Sequence, residues 1–150
     1  MVSAMQQGFF VTGTDTGVGK TLVACGLLHG FAARGRTVVG MKPVAAGEEG
    51  GRYTDVDALV ATSNVKAGLQ HVNPYAFEPA IAPHIAAAQA KVEISLEVLH
   101  AAYRELARAA EVVVVEGAGG FVIPLNARET SADLARRLGL PVVLVVGMRL

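Results

Sequence analysis

The sequence predicts an α/β fold: a parallel β-sheet with helices on both of its faces. Three observations carry that prediction. Short continuous apolar runs, residues 8–12 (GFFVT), 37–41 (TVVGM), 112–115 (VVVV) and 141–146 (PVVLVV), alternate with stretches of helical periodicity, the pattern of strands buried on both faces. The first run passes through a glycine-rich turn directly into an apolar helical stretch. Each of the first three runs ends in polar or glycine-rich residues, and in parallel sheets ligands bind beyond the carboxyl ends of the strands.

The elements follow in order. Residues 8–12 form the first strand. Residues 18–34 form a helix in which Val18, Leu22, Cys25 and Leu28 or His29 recur at helical spacing, with Gly35 as the stop. Residues 37–41 form the second strand, ending at Lys42-Pro43. Residues 45–52 are glycine-rich and acidic and predict a mobile loop. Residues 55–62 start a short helix capped by Thr54 or Asp55. Residues 73–83 contain Pro74, Pro79 and Pro83 and predict no regular structure. Residues 94–110 predict an amphipathic helix with Leu96, Leu99, Tyr103 and Leu106 on one side and Ser95 near its start. Residues 112–115 predict a buried strand leading into Glu116-Gly117-Ala118-Gly119-Gly120. Residues 131–138 predict a helix stopped by Gly139, ahead of the strand at 141–146.

The turn after the first strand reads GTDTGVGKT, residues 13–21. A strand, a glycine-rich turn closing on Gly-Lys-Thr, and a helix are the context that a phosphate-binding loop requires, so the fold class is an α/β sheet of the P-loop NTPase type. Gly17, Val18 and Gly19 would turn backbone N–H groups towards phosphate oxygens, and the helix N-terminus from Lys20 through Leu22 adds partial positive charge. Lys20 would reach the β- and γ-phosphates and the Thr21 hydroxyl would ligate Mg²⁺. The common pattern has four residues between its first glycine and Gly-Lys; here five, residues 14–18, separate Gly13 from Gly19. A chance Lys-Thr after a structural turn is the bland alternative, and the flanking elements speak against it.

Composition sets the bounds. One hundred and fifty residues, 52% hydrophobic and 17% charged, predict a single globular domain over 1–150. Thirteen basic and thirteen acidic side chains leave no net charge, and the absence of a basic cluster argues against a nucleic-acid partner. No apolar run reaches membrane-spanning length and the N-terminus lacks a signal-peptide pattern, so no membrane association is expected. The single cysteine, Cys25, excludes an internal disulfide and fits a reducing cytoplasm; packing is its expected role. A strand of core quality lies just before Leu150, which leads us to expect the N-terminal portion of a longer protein.

Three motifs stand in order at strand ends: GTDTGVGKT, KPVAAG at 42–47 and VEGAGG at 115–120, with Asn73-Pro74-Tyr75 and Ala82-Pro83-His84 between them. Together they resemble the dethiobiotin synthetases, the ATP-dependent carboxylases of biotin synthesis, over nearly the whole chain. The resemblance implies ring closure of 7,8-diaminononanoate with CO2 and MgATP: a carbamate of one amine attacks the γ-phosphate, and the second amine displaces phosphate from the anhydride. It implies a homodimer with substrate near the subunit interface. It makes Lys42 the catalytic lysine that holds carbamate and γ-phosphate, alongside Lys20 and the Thr16 hydroxyl.

A carbamate anion and a phosphate repel one another, so the chemistry needs positioning and charge neutralisation. Mg²⁺ takes one or two carboxylates together with phosphates and waters; Thr21 and Glu116 are expected ligands, and the resemblance adds Asp57, which matches the family's second acidic position in an Asp-Ala-Leu context. Asp55 competes with Asp57, because two positions apart on a helix they face different ways. Gly117, Ala118 and Gly119 would leave N–H groups open for substrate oxygens, although a tight structural turn fits them equally. His84 reads as a turn or helix-cap residue. The family often carries a hydroxyl residue where this chain has Ala46, which removes one substrate contact. Two other readings share the fold. A partitioning-type switch ATPase would carry a lysine where Asp15 stands, and a cobyrinate-type amide synthetase would need a glutamine-hydrolysing domain.

Overall fold

A computed structural model describes residues 7–148. The elements run β1 (Gln7–Gly13), α1 (Lys20–Ala32), β2 (Val38–Met41), β3 (Val44–Ala46), α2 (Thr54–Thr62), α3 (Leu69–Val72), β4 (Tyr75–Phe77), α4 (Pro83–Gln89), α5 (Leu96–Ala109), β5 (Val112–Glu116), α6 (Ser131–Leu138) and β6 (Val142–Val145). Among the described residues, β2, β5, β1 and β6 form a parallel sheet in that order. β5 lies between β1 and β2, so three loop-bearing strand ends lie side by side.

Alternation along the buried strands sends successive side chains to opposite faces. Phe10, Val39, Met41, Val113 and Val115 join the core beneath α5 and α6. Val11, Val38, Val112 and Val114 join Ala24 and Leu28 of α1 and Leu59 of α2 on the other face. The α/β sheet with helices on both faces is therefore the observed architecture. None of the helices among the described residues is long and apolar enough to cross a membrane.

Local chemistry sets the helix ends. The Ser95 hydroxyl accepts from the Val98 N–H at the start of α5, and Thr130 and Asp133 form a reciprocal capping box on α6. Gly139 ends α6 in the left-handed region, at φ 65°. Hydrogen bonds from Thr130, first from its side chain and then its backbone, hold the Asp133 carboxyl below the usual aspartate range.

The structure corrects several expectations. α1 begins at Lys20 rather than residue 18, because Gly17 and Gly19 have φ of 74° and 104°, outside any right-handed helix. Its buried positions are Lys20, Ala24 and Leu28, and Leu22 is 78% exposed. Residues 45 and 46, expected in a loop, join Val44 in a strand that pairs in parallel with residues 75–77, expected to be irregular, as a separate two-stranded sheet. Three-residue strands are too short for a period to show; pairing creates them. Pro83 opens α4 at the first helical turn, where its missing N–H has no partner to lose. In β6, Val143 and Val145 pack against the core, whereas Val142 and Leu144 are exposed.

Gly40 in β2 meets α2 closely. A Cβ there would lie 2.8 Å from Leu59 Cβ and 3.2 Å from Leu28 Cδ1. Gly40→Ala is expected to destabilise the protein by about 1–3 kcal/mol through overpacking. An unchanged thermal denaturation midpoint would refute this packing of α2 on the sheet.

Candidate functional site

Register assembles the site. Val115 pairs with Phe10 on one side and Met41 on the other, so the next residue, Glu116, stands between the end of β1 and Lys42. Lys42 and Glu116 are 4% and 2% exposed, and their burial is tolerable because each is paired. The Lys42 ammonium lies 2.7 Å from Asp55 Oδ2 and 2.9 Å from Glu116 Oε1, and it donates to the Gly117 carbonyl at 3.2 Å. The Thr21 hydroxyl donates to the same Glu116 Oε1 at 2.9 Å.

Lys20, also buried, donates through Nζ to the Asp15 carbonyl at 2.8 Å. Burial, reinforced by the neighbouring Lys42 ammonium, lowers its pKa below the usual lysine value; Glu116, Asp15 and Asp55 oppose the shift. The far end of β6 also reaches the loop: Thr14 N–H donates to the Val145 carbonyl at 3.0 Å, and Gly147 N–H to Thr14 Oγ1 at 2.9 Å. Nothing in the sequence periodicity pointed to Gly147.

A cavity of about 610 Å³ opens over these groups. Thr16, Gly17, Gly19, Lys20, Thr21, Lys42, Asp55, Glu116, Ala118 and Gly119 line it. Its remaining wall is apolar: Ala46, Ala80, Ile81, Ala82, Pro83 and Ile123. Thr16 faces Gly119, where an added Cβ would sit 3.8 Å from the Thr16 hydroxyl oxygen. Ala80, Ile81 and Ile123 are missed by sequence reasoning because they lie in segments without periodicity; Ala46 occupies the wall as a methyl group.

Four expected residues do not line the cavity. Val18 packs over the loop, against the Cα positions of Gly13 and Gly147. Leu22 points to solvent. Asp57 lies 2.8 Å from Arg52 on the surface, and Asp55 is the acid at the site instead. Residues two apart on a helix differ in direction by about 200°, and Asp55 shares the side of α2 that carries buried Leu59. Gly117 contributes its carbonyl, but its N–H is occupied by the Val11 carbonyl at 2.9 Å, because the β1–β5 ladder extends past Glu116. His84 lies on the first turn of α4 and lines a separate cavity of about 310 Å³ with Ile94 and Asn126.

The donor set suits a hard cation. Glu116 Oε2 is buried and has no hydrogen-bond partner, although an unmatched buried carboxylate oxygen is costly. Asp55 and the Thr21 hydroxyl supply two more oxygens beside it. Among the described residues no three His, Cys, Asp or Glu side chains gather into an all-protein metal cage. Two carboxylates and a hydroxyl are what Mg²⁺ takes when phosphates and waters complete its octahedron.

Comparison of the sequence with known proteins finds relatives and a family. The chain is 62% identical over 146 residues to the ATP-dependent dethiobiotin synthetase BioD of Nitrosospira multiformis, covering 97% of this chain and 65% of that protein. It is 53% identical over 148 residues to the same-named protein of Aromatoleum aromaticum, covering 96% and 66%. The match to that of Pseudomonas paraeruginosa is 54% over 147 residues, covering 95% and 64%. The chain thus spans a little under two thirds of each of these relatives. The profile described as AAA domain matches residues 7–150, essentially every position that builds the sheet, the phosphate loop and the Lys42–Glu116 pair. The chain belongs to the AAA domain family.

Proposed function

We propose that the intact gene product is a dethiobiotin synthetase, a cyclo-ligase that closes 7,8-diaminononanoate with CO2 and ATP to dethiobiotin, ADP and phosphate. The observation that carries this reading is the buried Lys42 ammonium set between Asp55 and Glu116 beside the phosphate loop. Lys20 suffices for the nucleotide phosphates, and a second buried lysine just beyond the neighbouring strand β2 suits a reaction between two anions. The names of the relatives support the same assignment, as does the apolar wall, which suits a substrate with an aliphatic chain.

In this reading Lys20 binds the β- and γ-phosphates, and Thr16 together with the Ala118 and Gly119 backbone orients the carbamate. Lys42 lies between carbamate oxygen and γ-phosphorus, where it offsets the charge that the two reactants bring together. The carbamate oxygen attacks phosphorus and ADP leaves; the second amine then attacks the carbonyl, and phosphate departs with the bond that had activated it. Lys20 and Lys42 are already balanced by Asp55 and Glu116, so the triphosphate arrives without surplus positive charge to meet it. Mg²⁺ held by Thr21, Asp55 and Glu116 would supply that charge. Asp57, an exposed partner of Arg52, has no part in this arrangement. The same reading makes residues 1–150 part of one nucleotide-binding synthetase domain and the enzyme a cytoplasmic homodimer without nucleic-acid or membrane partners.

The test is ATP turnover by the intact gene product with Mg²⁺, with and without 7,8-diaminononanoate and bicarbonate, while dethiobiotin is followed by mass spectrometry. One dethiobiotin per ADP is the expected result. ATP turnover indifferent to the diamine, with no such product, overturns the proposal.

A further inference from the structure

The motif Asn73-Pro74-Tyr75 has no part in the chemistry above, yet Asn73 is one of the few buried polar side chains among the described residues. Its Nδ2 donates to the Lys42 carbonyl at 2.7 Å and to the Tyr75 carbonyl at 3.0 Å. Only the amide NH₂ can serve two carbonyl oxygens, so the acceptors themselves fix which way the carboxamide faces. The Lys42 N–H in turn donates to the Val72 carbonyl at 2.8 Å. Lys42 is thus held on its amino side by the main chain of Val72 and on its carboxyl side by the side chain of Asn73.

The place matters because Lys42 lies at a corner. The chain leaves the four-stranded sheet at Met41 and enters the two-stranded sheet at Val44. Pro43 lies between them and has no N–H to add to either ladder. A side-chain tether does there what a ladder does elsewhere. Asn73 does not line the cavity, so it acts on Lys42 and not on a bound reactant.

We propose that Asn73 is a positioning residue whose carboxamide fixes the main chain of Lys42, so that the ammonium lands between Asp55 and Glu116 and over the phosphate loop. The consequence for turnover rests on the function proposed above; the placement of the ammonium does not. A displacement of about 1 Å in a reacting group lowers rate by about 100-fold, and freeing one end of the Lys42 peptide permits a shift of that order.

The test compares the intact gene product with Asn73→Ala and with Asn73→Asp, which has the same shape but presents a charge to two carbonyls in place of two donors. Expected are a fall in kcat for dethiobiotin of about 10- to 100-fold, unchanged affinity for ADP, and a moved or broadened Lys42 ammonium resonance in ¹H–¹⁵N spectra. Residues 1–150 contain Lys20, Lys42, Lys66 and Lys91, and replacement of Lys42 identifies its resonance in the intact product. A residue that only stabilises the fold would lower the melting temperature and leave both kcat and the Lys42 resonance of the folded protein unchanged; that result overturns the proposal. If Asn73→Ala does not fold, Asn73→Ser, which keeps one donor, is read in the same way. A wild-type protein that makes no dethiobiotin refutes the functional reading alone, and the Lys42 resonance still decides the positioning.

Discussion

Lys42→Ala is expected to remove dethiobiotin formation by on the order of 10³-fold while leaving most of the affinity for nucleotide, whereas Lys20→Ala loses the nucleotide. The division follows from what each ammonium faces. Lys20 is turned into the loop, donating to the Asp15 carbonyl at 2.8 Å, where a phosphate oxygen would take over the bond. Lys42 is held from the neighbouring strand by Asp55 and Glu116. The same replacement should also destabilise the protein without ligand. Glu116 is almost fully buried, and removing the cation from a buried pair costs about 3–5 kcal/mol. Mg²⁺ with ADP should recover part of that loss, since a ligand that binds only the folded state stabilises it by mass action. Calorimetric titration with ADP and thermal denaturation with and without Mg²⁺ check both arms. Equal loss of nucleotide affinity in the two variants would overturn the division of labour.

Much of the site is legible in the sequence because the sheet does most of the positioning. A run of four β-branched valines between polar ends reads as a short buried strand, and the residue after it, Glu116, is delivered to the sheet's carboxyl edge. Lys42, following another apolar run, is delivered to the same edge. The helix phases are less legible. In α1 nearly every residue from Leu22 to Leu28 is apolar, so no stripe marks the core side, and Leu22 is exposed against expectation. In α2 the choice between Asp55 and Asp57 depends on where the helix starts, and one residue of error rotates the face by about 100°. Gly117 looks free to donate until the length of the β1–β5 ladder is known. The β3–β4 pair and the apolar wall of Ile81 and Ile123 arise from contacts between segments distant in sequence, and neither segment carries a period of its own.

The two aspartates of α2 give the second large effect. Asp55→Asn removes a carboxylate from the cavity and from the Lys42 ammonium 2.7 Å away. The Mg²⁺ concentration required for half-maximal turnover should rise by at least the 10- to 100-fold that loss of even an indirect metal partner costs, about 1.4–2.7 kcal/mol. Asp57→Asn breaks only an exposed pair with Arg52, an interaction worth about 0–1 kcal/mol, and should leave the Mg²⁺ requirement where it is. Manganese binding followed by electron paramagnetic resonance, in the presence of ADP, separates metal affinity from turnover. The reverse outcome, with Asp57→Asn impaired and Asp55→Asn near wild type, would mean that α2 turns on nucleotide binding to exchange one acid for the other. The buried Leu59 on the Asp55 side opposes such a rotation, because it would carry a core side chain out of its contact with Gly40.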